Sequence, residues 1–450
     1  MKNATEQIAR FIANTRYDDI PRHVVDANRT IILDGVANVL AGSTQPVLEY
    51  IRRYVDRLGG RPECTVVGAS FRTNPPLAAF ANGAAMHVLD YEPQGIPSTH
   101  GTSTLLPGIL ALAEVNGASG KSVLTAFAVG WEIQQRIAMA ARNAQSRPFH
   151  PPGIYGPPAA AAGCAKLLGL DEHKVRMALG IGASRTGALF ANNGTMTKST
   201  HPGNAARMGT EAVMLAADGF TANDSIFEGV RGYVETLFGD EFEWHALLDG
   251  LGEEWNLARH GFNIKRYPAQ IHMQWATESV VLLREKHGIR ADDVEWLELE
   301  VSSRRPGLSR PAPATGLDGK FSFEYCAAVA LTQDEVGIDS FSDPVRFSAP
   351  VEAALRKIRL KPNPDIPTSS TDYWVQASAG LKDGRVLVER VDAYRGAARN
   401  PITREVHLRK VRDCMRRVLP EPKMERLIGL IDELDRLEDA RVFVRALQGE

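Results

Sequence analysis

The stretch at residues 191–209, ANNGTMTKSTHPGNAARMG, gathers Lys198, His201 and Arg207 within ten residues. Its Gly, Thr, Ser and Pro residues predict a loop rich in N–H and hydroxyl donors, and residues 204–207 predict the start of a helix. A helix N-terminus favours negative charge, so a small anion is the guest this loop suits. A solvated Gly/Pro connection would use similar residues. Three further stretches carry groups of the same kind. Residues 90–100 hold Asp90, Glu92 and His100; residues 148–157, PFHPPGIYGP, hold His150 and Tyr155; residues 263–275 hold Lys265, Arg266, His272 and Gln274. Together they could bind a small polycarboxylate through Lys and Arg and move protons through His, Asp, Tyr or Lys. Lone histidines elsewhere, such as His23, His245 and His407, read as surface or capping residues.

Periodicity predicts the scaffold that must bring these loops together. Up to about residue 265 the chain reads as successive helices, beginning with a capping box from Asn3 to Glu6. Asn74 and Pro75 start a helix that ends near His87, so Asp90 leaves a helix C-terminus and enters a loop. The helices expected at 105–114, 122–142, 158–168, 172–180 and 205–219 are full of Ala and Gly, which permits close packing in a dense bundle. After Tyr267 the texture changes. A helix at 271–287 precedes an alternating strand at 294–301, then an Arg/Pro-rich loop at 304–313 and a hairpin over 374–391 turning at Lys382-Asp383-Gly384. Amphipathic helix returns from Thr403. The expectation is a mainly α protein. Residues 1–266 and 400–450 form one discontinuous helical domain, and residues 267–399 form a smaller α+β lid.

Composition removes several classes of function. A formal net charge of -2 and a pI near 6.6, without long basic stripes, argue against nucleic acid or an anionic membrane as partner. Apolar runs are too short to span a bilayer and the N-terminus lacks a signal-like apolar core, so a cytoplasmic location is expected. The four cysteines, Cys64, Cys164, Cys326 and Cys414, are far apart with no C-x-x-C. Their spacing offers no ligand set for zinc or an iron–sulfur cluster, so no metal is expected and any dehydration chemistry would run on side chains. Gly180-Ile-Gly182 lacks the third glycine and the preceding strand of a dinucleotide loop.

The order AAMHVLDYE, STHGTSTLLPGILALAE, FHPPGIYGPPAAAAGCAKLLGL, GTMTKSTHPGNAARMG, FSFEYCAAVAL and RNPIT resembles the MmgE/PrpD, or 2-methylcitrate dehydratase, family over nearly the whole chain. That family also contains cis-aconitate decarboxylase and iminodisuccinate epimerase. The resemblance implies a homodimer with an active site between a helical domain and a lid, working without metal or organic cofactor. By motif position the family's functional residues fall on Asp90, His100, His150 and Lys198. The sequence departs from the pattern where relatives often read D-D-T, having Glu92, Pro93 and Gln94, and at Ile96 in place of a frequent histidine. His100-Gly101-Thr102 replaces the usual H-P-G or H-P-S. Gln274-Trp275 stands for a His-Trp pair, with His272 two residues earlier.

These readings converge on a cofactor-independent lyase, dehydratase-like, that abstracts a proton beside a carboxylate of a small polycarboxylic acid. Asp90, His100, His150, Lys198 and Tyr155 are the expected catalytic residues. His201, Arg207, Lys265, Arg266, His272 and Gln274 are expected to hold the substrate. Epimerisation or decarboxylation in the same site is the alternative, with Tyr155 opposite Lys198 or His100 as a second base, and a non-catalytic binding protein is the rival from another class.

Overall fold

The computed structural model describes residues 3–144, 149–304 and 306–448. Pro148 and Arg305, within two of the stretches above, lie outside the described residues. One apolar core draws on residues 4–257, Ile338 and 411–447, and a second is built from residues 267–397. Among the described residues no single helix is long and apolar enough to cross a membrane.

In the first core, helix α1 (Pro75–His87) begins where Asn74 accepts a hydrogen bond from the Leu77 N–H and two prolines supply the first turn. Its end leads to Asp90, which adopts a left-handed φ of 51°. A two-residue strand β1 (Gln94–Gly95) follows, and then α2 (Gly101–Asn116), which starts at His100 and not near residue 105. Gly101 permits that early start because a Cβ there would lie 2.4 Å from the Trp131 ring on α3 (Gly120–Ala140). Helix α4 (Pro151–Leu167) carries His150 at its N-terminal boundary.

The stretch predicted as a donor-rich loop is helical. Helix α5 runs Met196–Ala217 without interruption, so Lys198 and His201 lie in its first two turns, and the expected start near Asn204 is corrected. Pro202 sits within it. Gly203, read as a loop signal, serves close packing instead: a Cβ on it would come 2.5 Å from the Phe80 carbonyl, and one on Gly83 would come 2.7 Å from the Gly203 Cα. Helices α1 and α5 therefore cross backbone to backbone, which a larger side chain would prevent. At the far N-terminus Asn3 takes a left-handed φ and makes no side-chain cap, so the predicted capping box is absent.

The second core begins after strand β2 (Phe262–Asn263), which pairs antiparallel with β1 in the register Gln94 to Asn263. Helix α6 (Met273–His287) leads to β3 (Val294–Ser302), and α7 (Phe323–Thr332) leads to β4 (Ile358–Asn363). Strands β5 (Val375–Leu381) and β6 (Val386–Val391) form the expected hairpin. The sheet order is β4-β3-β5-β6, with β4 parallel to β3. Strand β4, IRLKPN, escaped sequence reading because its alternating face is weak and interrupted by Pro362. Helix α8 (Arg404–Met415) returns the chain to the first core.

Candidate active site

A cavity of about 550 Å³ opens where the two cores meet. Its polar floor includes Asp90, His100, His150 and Lys198. Across from them, Gln270 and His272 join residues 368–371 from the loop before β5. Ile96, Met139, Ile154, Tyr155 and Phe238 add apolar wall.

Burying a carboxylate alone would cost several kcal/mol, and Asp90 is only 3 % exposed. Two lysines offset that cost. Lys198 Nζ donates to Asp90 Oδ2 at 2.7 Å, and Lys265 Nζ donates to both Oδ1 and the main-chain oxygen. Burial pushes the Asp90 carboxyl upward, yet the two ammonium groups hold it well below the usual range. Asp90 is therefore an ionised anchor with both oxygens engaged, unsuited to take a proton. Lys198 also donates to His87 Nε2 at 2.8 Å. Of its three N–H groups, one has no hydrogen-bond partner among the described residues and remains for a ligand. Burial lowers its pKa against the pull of Asp90.

His100 is held between two side chains. Its Nδ1 lies 2.7 Å from Glu92 Oε1, and its Nε2 lies 2.9 Å from Gln94 Nε2. Ser98 Oγ donates to Gln94 Oε1, which assigns the amide N–H₂ to the histidine and leaves Nε2 of His100 unprotonated. His87 Nδ1 donates to the same Glu92 oxygen at 2.5 Å. His150 Nδ1 meets His201 Nδ1 at 3.0 Å, so one of the pair carries the proton. Burial keeps these rings neutral: His87 is pushed down to about 3 and His201 to about 4, while His100 and His150 are also lowered. Burial raises the Tyr155 phenol to about 12, so at neutral pH it can donate a proton but not accept one.

The remaining predicted contacts divide. His272 lines the cavity, with Nδ1 against the Gln270 side chain. His201 stands behind His150, outside the lining. Lys265 is fully buried on Asp90, so it tunes that carboxylate and does not face the cavity. Arg207 is corrected: its guanidinium pairs with Glu211 at 2.8 Å, away from the cavity. Gln274 is corrected too. Its oxygen accepts from the Arg266 and Tyr267 N–H groups and its amide donates to the Tyr267 carbonyl, so it braces a turn. Arg266 is half-buried in that turn and lines none of the cavity.

Sequence reading passed over His87, Gln94 and Lys320. His87 stands three residues before Asp90, a spacing that places both at one helix end, and this H-x-x-D signal could have found it. Lys320 Nζ donates to the Leu89 and Pro268 carbonyls, tying the two cores together behind Asp90, and burial pushes it down to about 7.

His87, His100 and His150 bring ligand atoms within 4.8 Å of one another, a grouping that the spacing analysis did not foresee. A cation there would meet the Lys198 ammonium and would displace the N–H donors already on His87 Nε2 and His100 Nε2. The set fits a proton-handling site better than a metal centre.

Comparison with known proteins agrees with this architecture. Residues 6–245 match the MmgE/PrpD N-terminal domain and residues 267–436 match the MmgE/PrpD C-terminal domain. The chain belongs to the MmgE/PrpD family. Among relatives, cis-aconitate decarboxylase of Mus musculus is 31% identical over 463 residues, covering 100% of this chain and 94% of its own length. The Homo sapiens cis-aconitate decarboxylase is 30% identical, covering 100% and 95%. The 2-methylcitrate dehydratase of Escherichia coli strain K12 is 25% identical, covering 84% and 83%. Both MmgE/PrpD domains are thus present, and the cavity lies at their meeting place.

Proposed function

We propose that this MmgE/PrpD protein is a cofactor-independent lyase that acts on a small polycarboxylic acid through proton transfer beside a carboxylate. The observation that carries this reading is the pairing, on one cavity floor, of an unprotonated imidazole nitrogen on His100, held by the Gln94 amide that a substrate would displace, with an ammonium N–H on Lys198 left for a ligand. His100 would move the proton, His150 would share that work, and Lys198 would stabilise the enediolate-like charge as it develops. Asp90 and Lys265 set the charge and direction of Lys198. Each floor residue is less than a tenth exposed, so these contacts lie in a low-dielectric setting, which strengthens them.

Dehydration forms this carbanion-like charge by proton abstraction and discharges it by losing hydroxide, whereas decarboxylation forms it by losing carbon dioxide and discharges it by accepting a proton. The longer and closer similarity to cis-aconitate decarboxylases supports decarboxylation as the second reading. Epimerisation has less support, since a Tyr155 phenol near 12 serves poorly as the second base. The separate apolar cores support a helical domain of residues 1–266 and 400–450 under a lid of residues 267–399. A homodimer built by the helical part, suggested by the family resemblance, would appear in light scattering at twice the chain mass.

The test is NMR of the purified protein in D₂O with cis-aconitate, 2-methylcitrate and a panel of related di- and tricarboxylates. Deuterium incorporation next to a carboxylate, with loss of water or carbon dioxide from one acid, is expected. Neither exchange nor product across the panel would reject the enzyme reading in favour of a binding protein.

A further inference from the structure

Glu92 is fully buried, and its Oε1 receives His87 Nδ1 at 2.5 Å, His100 Nδ1 at 2.7 Å and the Ser103 hydroxyl at 3.1 Å. Its Oε2 is also buried and has no partner among the described residues. A carboxylate placed only to secure the fold would be expected to use both oxygens, because leaving one unpaired in the interior is costly. All of Glu92's hydrogen bonding is instead gathered on the atom that holds the two rings.

We propose that Glu92 is the positioning residue of this site: it fixes His87 and His100 as Nδ1–H tautomers, so that the Nε2 lone pairs point away from it, that of His87 to Lys198 and that of His100 to the Gln94 amide at the cavity floor. The inference rests on the functional reading above for its link to turnover, but the tautomers themselves do not depend on any substrate. Both opposite ends of the arrangement agree with the assignment. Lys198 Nζ can only donate to His87 Nε2, and the Gln94 amide, oriented by Ser98, can only donate to His100 Nε2. The same geometry rules out a proton relay between the rings. Each Nδ1 already holds a proton directed at one shared oxygen, so a proton passed from His100 to Glu92 finds no lone pair on His87 Nδ1 to receive it. Glu92 consequently acts as a fixed negative charge. It favours the imidazolium that forms when His100 takes a proton, while His87 holds the second face of the Lys198 ammonium in place.

Two variants separate orientation from charge. Glu92→Gln keeps an oxygen that can accept both N–H groups but removes the charge, and Glu92→Leu removes both. With histidine labelled by ¹⁵N, the imidazole resonances of the wild type should report Nδ1–H for His87 and His100. Glu92→Gln should retain those tautomers, lose turnover by about tenfold or more on cis-aconitate or whichever panel acid is consumed, and move the acidic limb of kcat/KM to lower pH. Glu92→Leu should leave both Nδ1–H groups without their acceptor, so that the rings turn and their imidazole resonances shift and broaden although Lys198 and Gln94 still face the Nε2 atoms, and should lower kcat by about a hundredfold, with KM changed far less. Wild-type rings in the Nε2–H form would overturn the proposal. So would a Glu92→Gln enzyme with unchanged kcat and pH profile, even where Glu92→Leu fails to fold. If no acid in the panel reacts, the lyase reading falls, and the ring tautomers still decide the role of Glu92.

Discussion

Two buried ion clusters sit within the same helical core and are built to opposite ends. In the first, Glu132 and Arg136 are one turn apart on α3, with Nε to Oε1 at 2.6 Å. Arg136 spends its other donors on the carbonyls of Leu247, Asp249, Gly250 and Glu254, and Glu132 accepts from the main chain and side chain of Asn256. All five guanidinium N–H groups are committed, and the result pins residues 247–256 to the bundle. In the second cluster, Asp90 is saturated by two lysines, yet Lys198 retains a donor and the His100 Nε2 lone pair is held only by the side-chain amide of Gln94, which itself lines the cavity. Both centres bear the desolvation cost of buried charge. Only the second leaves part of its hydrogen-bonding capacity for something that arrives from outside.

The largest expected effect follows from that contrast. Lys198→Ala should lower turnover by roughly a hundredfold or more, since it deletes a contact strongest at the transition state. Lys198 is buried in α5 and paired, so a lower melting temperature should accompany the loss, although Lys265 still neutralises Asp90. Arg136→Ala should do the reverse, costing on the order of 3–5 kcal/mol of stability with turnover per folded molecule nearly unchanged. Denaturant titration and steady-state rates on the same preparations would check both. Full activity in a folded Lys198→Ala protein would erase the distinction between the clusters.

A smaller effect sharpens the comparison through pH. His201 and His87 titrate below the ordinary histidine value of about 6.5, at about 4 and about 3, chiefly through burial. Each binds its proton more weakly folded than unfolded. The stability they contribute is therefore complete above about pH 6.5 and is lost as pH falls toward 4 and then 3. Glu132 has the opposite sign, because burial raises its pKa, so its contribution is fully present below its unfolded value and declines as pH rises through its folded value. Acid should thus weaken the site before it weakens the Glu132–Arg136 staple. Melting curves between pH 7 and 4 should fall in the wild type and flatten in His201→Asn; an unchanged slope would place the acid sensitivity elsewhere.

The smallest expected effect is none. Dialysis against a chelator should leave turnover intact, because Lys198 and Gln94 already occupy the nitrogens that a cation at His87 and His100 would need. Loss of activity restored by one divalent ion would replace the proton-handling view of the three histidines.

Much of this contrast is legible in the sequence. Asp90, His100, His150 and Lys198 were singled out by residue type and neighbouring Gly and Pro, and the helical texture with a late α+β segment followed from periodicity. Arg207 and Gln274 show where that reasoning stops. Each has the right chemistry at the right place in the chain, but a local partner, Glu211 four residues on or the turn at 266–269, takes its hydrogen bonds. Sequence spacing does not say which of two reachable partners a side chain meets. Lys198 was misplaced for a related reason. Gly203 and Pro202 are loop signals on their own, and only the facing helix, with Gly83 against Gly203, makes the helical solution the denser one. For His87 the H-x-x-D spacing to Asp90 is the signal in the sequence, but it does not show that a lysine more than a hundred residues away settles on the ring.

The crossing of α1 and α5 at Gly83 and Gly203 carries a consequence for how such a site can diversify. His87 and Asp90 lie at the end of one helix and Lys198 on the other, so the reach from the histidine brace and the carboxylate anchor to the ammonium is a ruler whose length is set by two missing side chains. Substituting an apolar lining residue such as Ile96 or Phe238 would change the shape offered to a guest and leave that ruler as it is. A methyl group at either glycine would instead pry the helices apart and detune every chemistry the site could host at once. What the two glycines fix is then a separation between two backbones, and every contact that Lys198 makes depends on it.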